Sequence, residues 1–323
     1  MKKVILDCDP GHDDAFGILL ALQHLDVLGI TTIGGNCTLE NVTRNALKVL
    51  EVLERPDVPV YAGHEGPLVA PLVTAPQFHG KTGMDGPVLP EPKIKAQGKH
   101  AVDFIVDTVM HTDDVTIIAT GPLTNIASAL NREPRIAERI KEISIMGGSV
   151  TFGNWTPVAE FNIVVDPEAA YKVFNSGVHI KMSGINLTRQ CCLTYGHVQK
   201  FREIGTKAAV FAAELTEFFI GTTKESASLS GANMHDACAV AWVIDPSLIR
   251  SAEMRIDIEL KGEYTRGMTV CDCRHLRGTD PAVDLCRIPT MPVRGRRPNA
   301  EAGLELDFPR FLELLYGTLK QYN

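Results

Sequence analysis

Val4-Ile5-Leu6-Asp7-Cys8-Asp9-Pro10-Gly11-His12-Asp13-Asp14 is the stretch whose reading decides the fold. Its three leading apolar residues read as a short buried strand, and Asp14 to Gln23 follows with apolar residues at helical spacing. The same alternation continues outward. Leu28 to Ile33 reads as strand and Leu39 to Leu53 as helix, then Val102 to Met110 as helix, Val115 to Ala119 as strand and Thr124 to Leu130 as helix. Ile143 to Met146 (strand), Pro167 to Asn175 (helix) and His179 to Met182 (strand) complete the series. Strands that alternate with helices need crossover connections, so the expected fold is α/β: a mostly parallel central sheet flanked by helices, Rossmann-like and open.

From about Gly196 the pattern turns more helical, with Ala208 to Phe219, Ala237 to Ile244 and a closing Phe308 to Tyr316. Ile256 to Leu260 and Met268 to Val270 read as strands at the sheet's edge or in a small appended unit. Pro67 to Pro92 and Gly147 to Thr156 read as long loops, the usual rim of a site in α/β domains. With no repeat, no low-complexity tract and no clear linker, a single domain over 1–323 is expected.

The chain has 45% hydrophobic residues, enough for a sizeable core, and a formal net charge of −7. That balance argues against a nucleic-acid backbone as partner, the short basic stretch from Arg294 to Arg297 notwithstanding. No apolar stretch approaches the roughly 20 residues a bilayer demands, so no membrane is expected. Met1-Lys2-Lys3 precedes too short an apolar run for a signal peptide. The eight cysteines, Cys286 among them, form no C-x-x-C pair and read as reduced thiols of a cytoplasmic protein.

Asp7, Asp9, Asp13 and Asp14 crowd the end of the first strand, where ligands of open α/β sheets bind. Such carboxylates repel one another unless a cation sits among them, and a helix N-terminus contributes only about 1 kcal/mol. Oxygen ligands without an adjacent His/Cys set point to calcium or magnesium rather than zinc.

Asp7-Cys8-Asp9-Pro10-Gly11-His12-Asp13-Asp14-Ala15 resembles the signature of the inosine-uridine nucleoside hydrolases. Further matches follow in that family's order: Gly35-Asn36, His79-Gly80 with Thr82-Gly83, Thr120 to Asn125, Met146-Gly147-Gly148, Glu160-Phe161-Asn162 and His235-Asp236. The resemblance implies a calcium ion held by Asp9, Asp14, Asp236 and the Thr120 carbonyl. That ion also holds the attacking water and the ribose 2′- and 3′-hydroxyls. Asp9 is implied as general base, with Asp13, Asn36, Asn154, Glu160 and Asn162 gripping the ribose and Met146 lining its pocket. Cleaving an N-glycosidic bond builds positive charge on the sugar, which suits carboxylates and amide oxygens.

The departing base needs a proton or a hydrogen bond, and a histidine near neutrality suits that task. His235 is the candidate, with His79 shaping the base pocket. Glu160 and Asn162 also admit a blander reading as an exposed strand face around Phe161. Thr222-Thr223-Lys224-Glu225-Ser226-Ala227-Ser228-Leu229 lacks the tyrosine or glutamine that some relatives place against the base, which leaves the preferred base open, with pyrimidine or inosine/uridine substrates favoured. The resemblance further implies a ribonucleoside substrate, nucleoside salvage and a homo-oligomer, tetramer or dimer. Two alternatives compete: a non-catalytic metal-dependent nucleoside or ribose binder, and a phosphatase similar to the haloacid dehalogenases, whose Asp-x-Asp also follows a strand.

Overall fold

The computed structural model describes residues 1–227, 231–276 and 296–322; Ser228, Leu229, Cys286 and Arg294, all raised above, lie outside them. Its strands are β1 (Lys3–Cys8), β2 (Asp26–Thr32), β3 (Val60–Ala62), β4 (Val115–Ala119), β5 (Glu142–Met146) and β6 (Ile180–Ser183). Then come β7 (Cys192–Leu193), β8 (Ala232–Asn233), β9 (Ile249–Ile258), β10 (Thr269–Asp272) and β11 (Ala300–Leu306). Nine of them form one sheet in the order β10-β9-β11-β6-β5-β4-β1-β2-β3, and β7 pairs with β8 alone. Pairing is parallel from β3 across to β11; only β9 and β10 run antiparallel to their neighbours.

Side-chain alternation along β1 shows why both faces are covered. Val4, Leu6 and Cys8 pack on one side with helices His12–His24, Leu39–Val52, Lys207–Ala227, His235–Ile244 and Phe308–Leu319. Ile5 packs on the other with helices Ala101–His111, Thr124–Arg132 and Pro167–Phe174. A strand buried on both faces carries a continuous apolar run, which is what Val4-Ile5-Leu6 announces.

The order β3-β2-β1-β4-β5-β6 is that of a doubly wound sheet, and the chain reverses its direction of travel between β1 and β4. The crevice beyond the carboxyl ends of those two strands receives Asp9 and Thr120, each one residue past its strand.

Departures from expectation have local causes. β11 lies inside the sheet although Ala300-Glu301-Ala302-Gly303-Leu304-Glu305-Leu306 has no β-branched residue to mark it. The expected Ile256–Leu260 strand extends back to Ile249, through Arg250, Glu253 and Arg255. Helix Lys207–Ala227 outruns Phe219, and within it the Thr216 and Thr223 hydroxyls donate to carbonyls one turn back, both at 2.7 Å. Helix Tyr195–Ile204 opens the stretch expected to turn helical from about Gly196, strand β3 carried no signal, and the loop from Pro67 to Pro92 contains a short helix, Pro76–His79.

Candidate active site

Four buried carboxylates form the floor of the crevice. Asp9 has no accessible surface; its Oδ2 accepts the Asn36 backbone N–H at 2.6 Å, and its Oδ1 has no partner among the described residues. Two glycines let neighbouring loops close on it. A Cβ on Gly35 would stand 2.1 Å from Asp9 Oδ2, and one on Gly121 2.8 Å from Oδ1. Asp13 and Asp14 occupy the first turn of helix His12–His24, and Asp236 the first turn of helix His235–Ile244. Asp14 accepts from the Gly11 N–H (2.9 Å), the Asn36 amide (3.3 Å) and the Thr120 hydroxyl (2.7 Å).

Oxygens of Asp13, Asp14 and Asp236 come within 4.8 Å of one another, and Asp13 Oδ1 has no partner among the described residues. Burial, reinforced by Asp14, pushes Asp9 well above the usual carboxylate range and Asp13 up to about 7. Burial and then the Asp13, Asp14 and Asp9 charges do the same to Asp236. Crowded acids with unpaired oxygens fit a hard divalent cation, which would restore their ionised form. Asp13 thus joins Asp14 and Asp236 in the tightest group, in place of the expected Asp9, which lies beside it. The Thr120 carbonyl accepts the Asn162 amide at 2.9 Å.

The walls come from later segments. Glu160 is not on a strand face: it caps helix Phe161–Val165, its side chain accepting from the Asn162, Ile163 and Gly148 N–H groups. Burial raises it to about 7. Three backbone donors explain a buried acid better than the alternation that suggested a strand. Asn162 also donates to the Met146 carbonyl at 3.1 Å, and Asn154 Oδ1 accepts the Phe161 N–H at 2.9 Å.

One cavity is lined by Asp13, Asn36, His79, Thr120, Met146, Asn154, Glu160, Asn162, His235 and Asp236, so every proposed site residue except the deeper Asp9 and Asp14 faces it. Phe78, Trp155, Phe161, Ile185, Arg189, Phe219, Thr223 and Asn233 line it too. Of these, Trp155 in its Gly-rich turn was conspicuous in sequence; Phe78 and Phe219 look like ordinary core residues there. Arg189 had a signal, a lone charge just after the uncharged Ile185-Asn186-Leu187-Thr188 turn.

The histidines depart from expectation. Burial, then the Arg189 charge, lowers His235 to about 3, while its Nδ1 lies 2.7 Å from the Thr188 hydroxyl. A ring poised near neutrality was expected; this one is uncharged at neutral pH and acts as a hydrogen-bonding group. Burial likewise lowers His79, whose Nδ1 lies 3.3 Å from Nδ1 of His12.

The pattern that describes the inosine-uridine preferring nucleoside hydrolases matches residues 4–313. The chain is 42% identical to the pyrimidine-specific ribonucleoside hydrolase RihA of Escherichia coli (strain K12), over 99% of this chain and 98% of that one. It superimposes on a purine-preferring ribonucleoside hydrolase from Gardnerella vaginalis with a TM-score of 0.88 at 34% identity, covering 99% and 98% of the two chains. An inosine-guanosine nucleoside hydrolase matches with a TM-score of 0.86 at 28% identity, covering 100% of both chains. A match of that extent leaves no room for the phosphatase alternative. Sequence, fold and the acidic crevice agree, and the chain belongs to the inosine-uridine preferring nucleoside hydrolase family.

Proposed function

We propose that this protein hydrolyses the N-glycosidic bond of ribonucleosides to free base and ribose. The observation that carries this reading is a single cavity with two kinds of lining. Asp13, Asn36, Glu160, Asn162 and Asp236 offer the polar contacts a ribose needs; Phe78, Ile185 and Phe219 offer apolar surface for a planar base.

As the C1′–N bond breaks, its electron pair leaves with the base and positive charge gathers on the ribose. Asp13 and Glu160 favour that charge over the neutral substrate, which is where rate acceleration arises. Asp9, held by Asn36 and closely packed by the backbones of Gly35 and Gly121, takes the proton of the attacking water. Calcium, when bound by Asp9, Asp14, Asp236 and the Thr120 carbonyl, supplies the positive charge that keeps these acids ionised and makes water more acidic. Neutral His235 hydrogen-bonds the departing base, and His79 shapes the pocket around it. Asn154 and Met146 complete the sugar's enclosure. Deoxyribonucleosides are poor substrates, because Asp13 then loses the 2′-hydroxyl.

We place this activity in nucleoside salvage, carried out by a cytoplasmic homo-oligomer, tetramer or dimer, built from one domain over 1–323. Among the described residues no helix is long and apolar enough to cross a membrane. The net charge of −7 favours a small-molecule partner over nucleic acid.

Uridine, cytidine, inosine, adenosine and guanosine, each assayed for reducing sugar with and without a chelator, test the proposal. Release from at least one nucleoside, lost with chelator and restored by calcium, is expected. Binding without release from any of them would overturn the hydrolase reading in favour of a nucleoside binder.

A further inference from the structure

Among the described residues, Arg189 is the one lysine or arginine lining a cavity whose other charged side chains, Asp13, Glu160 and Asp236, are acidic. Its backbone is anchored at the end of helix Ile185–Thr188, the N–H bonded to the Ile185 carbonyl at 3.2 Å. The guanidinium lies over the Phe152 ring, 4.7 Å from the centroid, and has no carboxylate partner among the described residues. Thr188, its chain neighbour, contacts His235 Nδ1, so Arg189 stands on the side of the cavity where His235 meets the base.

A guanidinium offers only donors, in a rigid planar fork, and accepts nothing. Beside a departing base it rewards acceptor atoms and is left unpaired by amino groups. This extends the nucleoside-hydrolase reading and rests on it. We propose that Arg189 is a specificity-determining residue: its N–H groups meet an oxo group on the base edge and stabilise the charge that gathers there as the N-glycosidic bond breaks. Uracil and hypoxanthine, which carry an oxo group at the position where cytosine and adenine carry an amino group, are therefore preferred to those counterparts. The electron pair of the broken bond stays on the base and spreads onto the oxo oxygen. The proton that later neutralises the base comes from water, never from Arg189 or from the uncharged His235 ring.

The size of the effect follows from exposure. A fully buried site built for a hydrogen bond rejects a mismatched substrate by about 10⁴-fold or more. Arg189 is exposed, so water can satisfy its free donors, and discrimination of about tenfold is expected.

The test is kcat/KM of the calcium-loaded protein for the pairs uridine/cytidine and inosine/adenosine, in the parent, Arg189→Met and Arg189→Lys. The parent favours the oxo member of each pair by about tenfold. Arg189→Met loses that factor on the oxo members alone, so each ratio collapses toward one; Arg189→Lys keeps part of it, and millimolar guanidinium restores part to the Met variant. An equal loss on all four nucleosides would make Arg189 merely structural and overturn the proposal. Unchanged ratios in Arg189→Met would overturn it as well. No reducing sugar from any nucleoside with the parent protein would instead sink the hydrolase reading, and this one with it.

Discussion

The Asn125 side-chain amide donates to Asp7 Oδ1 at 2.8 Å across a sequence separation of 118 residues. The Thr31 hydroxyl donates to the same oxygen at 2.6 Å, while Oδ2 has no partner among the described residues. Asp7 therefore ties β1 to β2 and to helix Thr124–Arg132. It is absent from the cavity lining and props the crevice from behind.

Burial raises Asp7 to about 6 from 3.8. A raised acid binds its proton more tightly folded than unfolded, so stability is greatest below the unfolded value and falls as pH rises toward the folded one. Asp7→Asn keeps the Oδ1 acceptor and removes this term. The stability difference between variant and parent should shift in the variant's favour by about 2 kcal/mol from pH 4 to neutrality. Denaturant unfolding at the two pH values measures it, and a constant difference would contradict the assignment.

Asp9→Asn preserves shape and an acceptor for the Asn36 N–H but removes the base. Turnover should fall by about 100-fold or more while substrate still binds. Near-parental kcat would exclude Asp9 as the base.

Gly35→Ala places a methyl group where Asp9 Oδ2 now sits, 2.1 Å from the ideal Cβ. The fold should survive, because Gly35 lies in a loop. Activity should drop by at least about tenfold and calcium affinity should weaken, since a misplacement of about 1 Å is costly in a preorganised site. Unaltered calcium titration by calorimetry would show that Asp9 does not need this close approach.

His235 is uncharged above about 3, so it contributes no limb to the pH–rate profile between about pH 5 and 8. His235→Ala should slow nucleosides with poor leaving groups by about 100-fold and affect an activated nitrophenyl riboside far less. Equal losses on both would remove His235 from leaving-group assistance.

Much of the fold was legible in the chain. Val4-Ile5-Leu6 and its repeats between helical segments specify a parallel sheet, because period and composition are local properties. The acidic run after β1 marked the site for a similar reason: carboxylates that close together require a partner wherever the chain folds. What packing alone decided is just as definite. The insertion of β11 between β6 and β9 depended on a vacant edge, since its own residues form strands weakly. Glu160 became a helix cap because the Gly148, Asn162 and Ile163 N–H groups converge on it. Asp236 reached Asp13 and Asp14 because helices His12–His24 and His235–Ile244 pack together. His235 lost its expected charge to burial and to Arg189. Local sequence sets which groups are present; the dielectric around them and the neighbours they meet come from other segments of the chain, and only the tertiary structure brings those together.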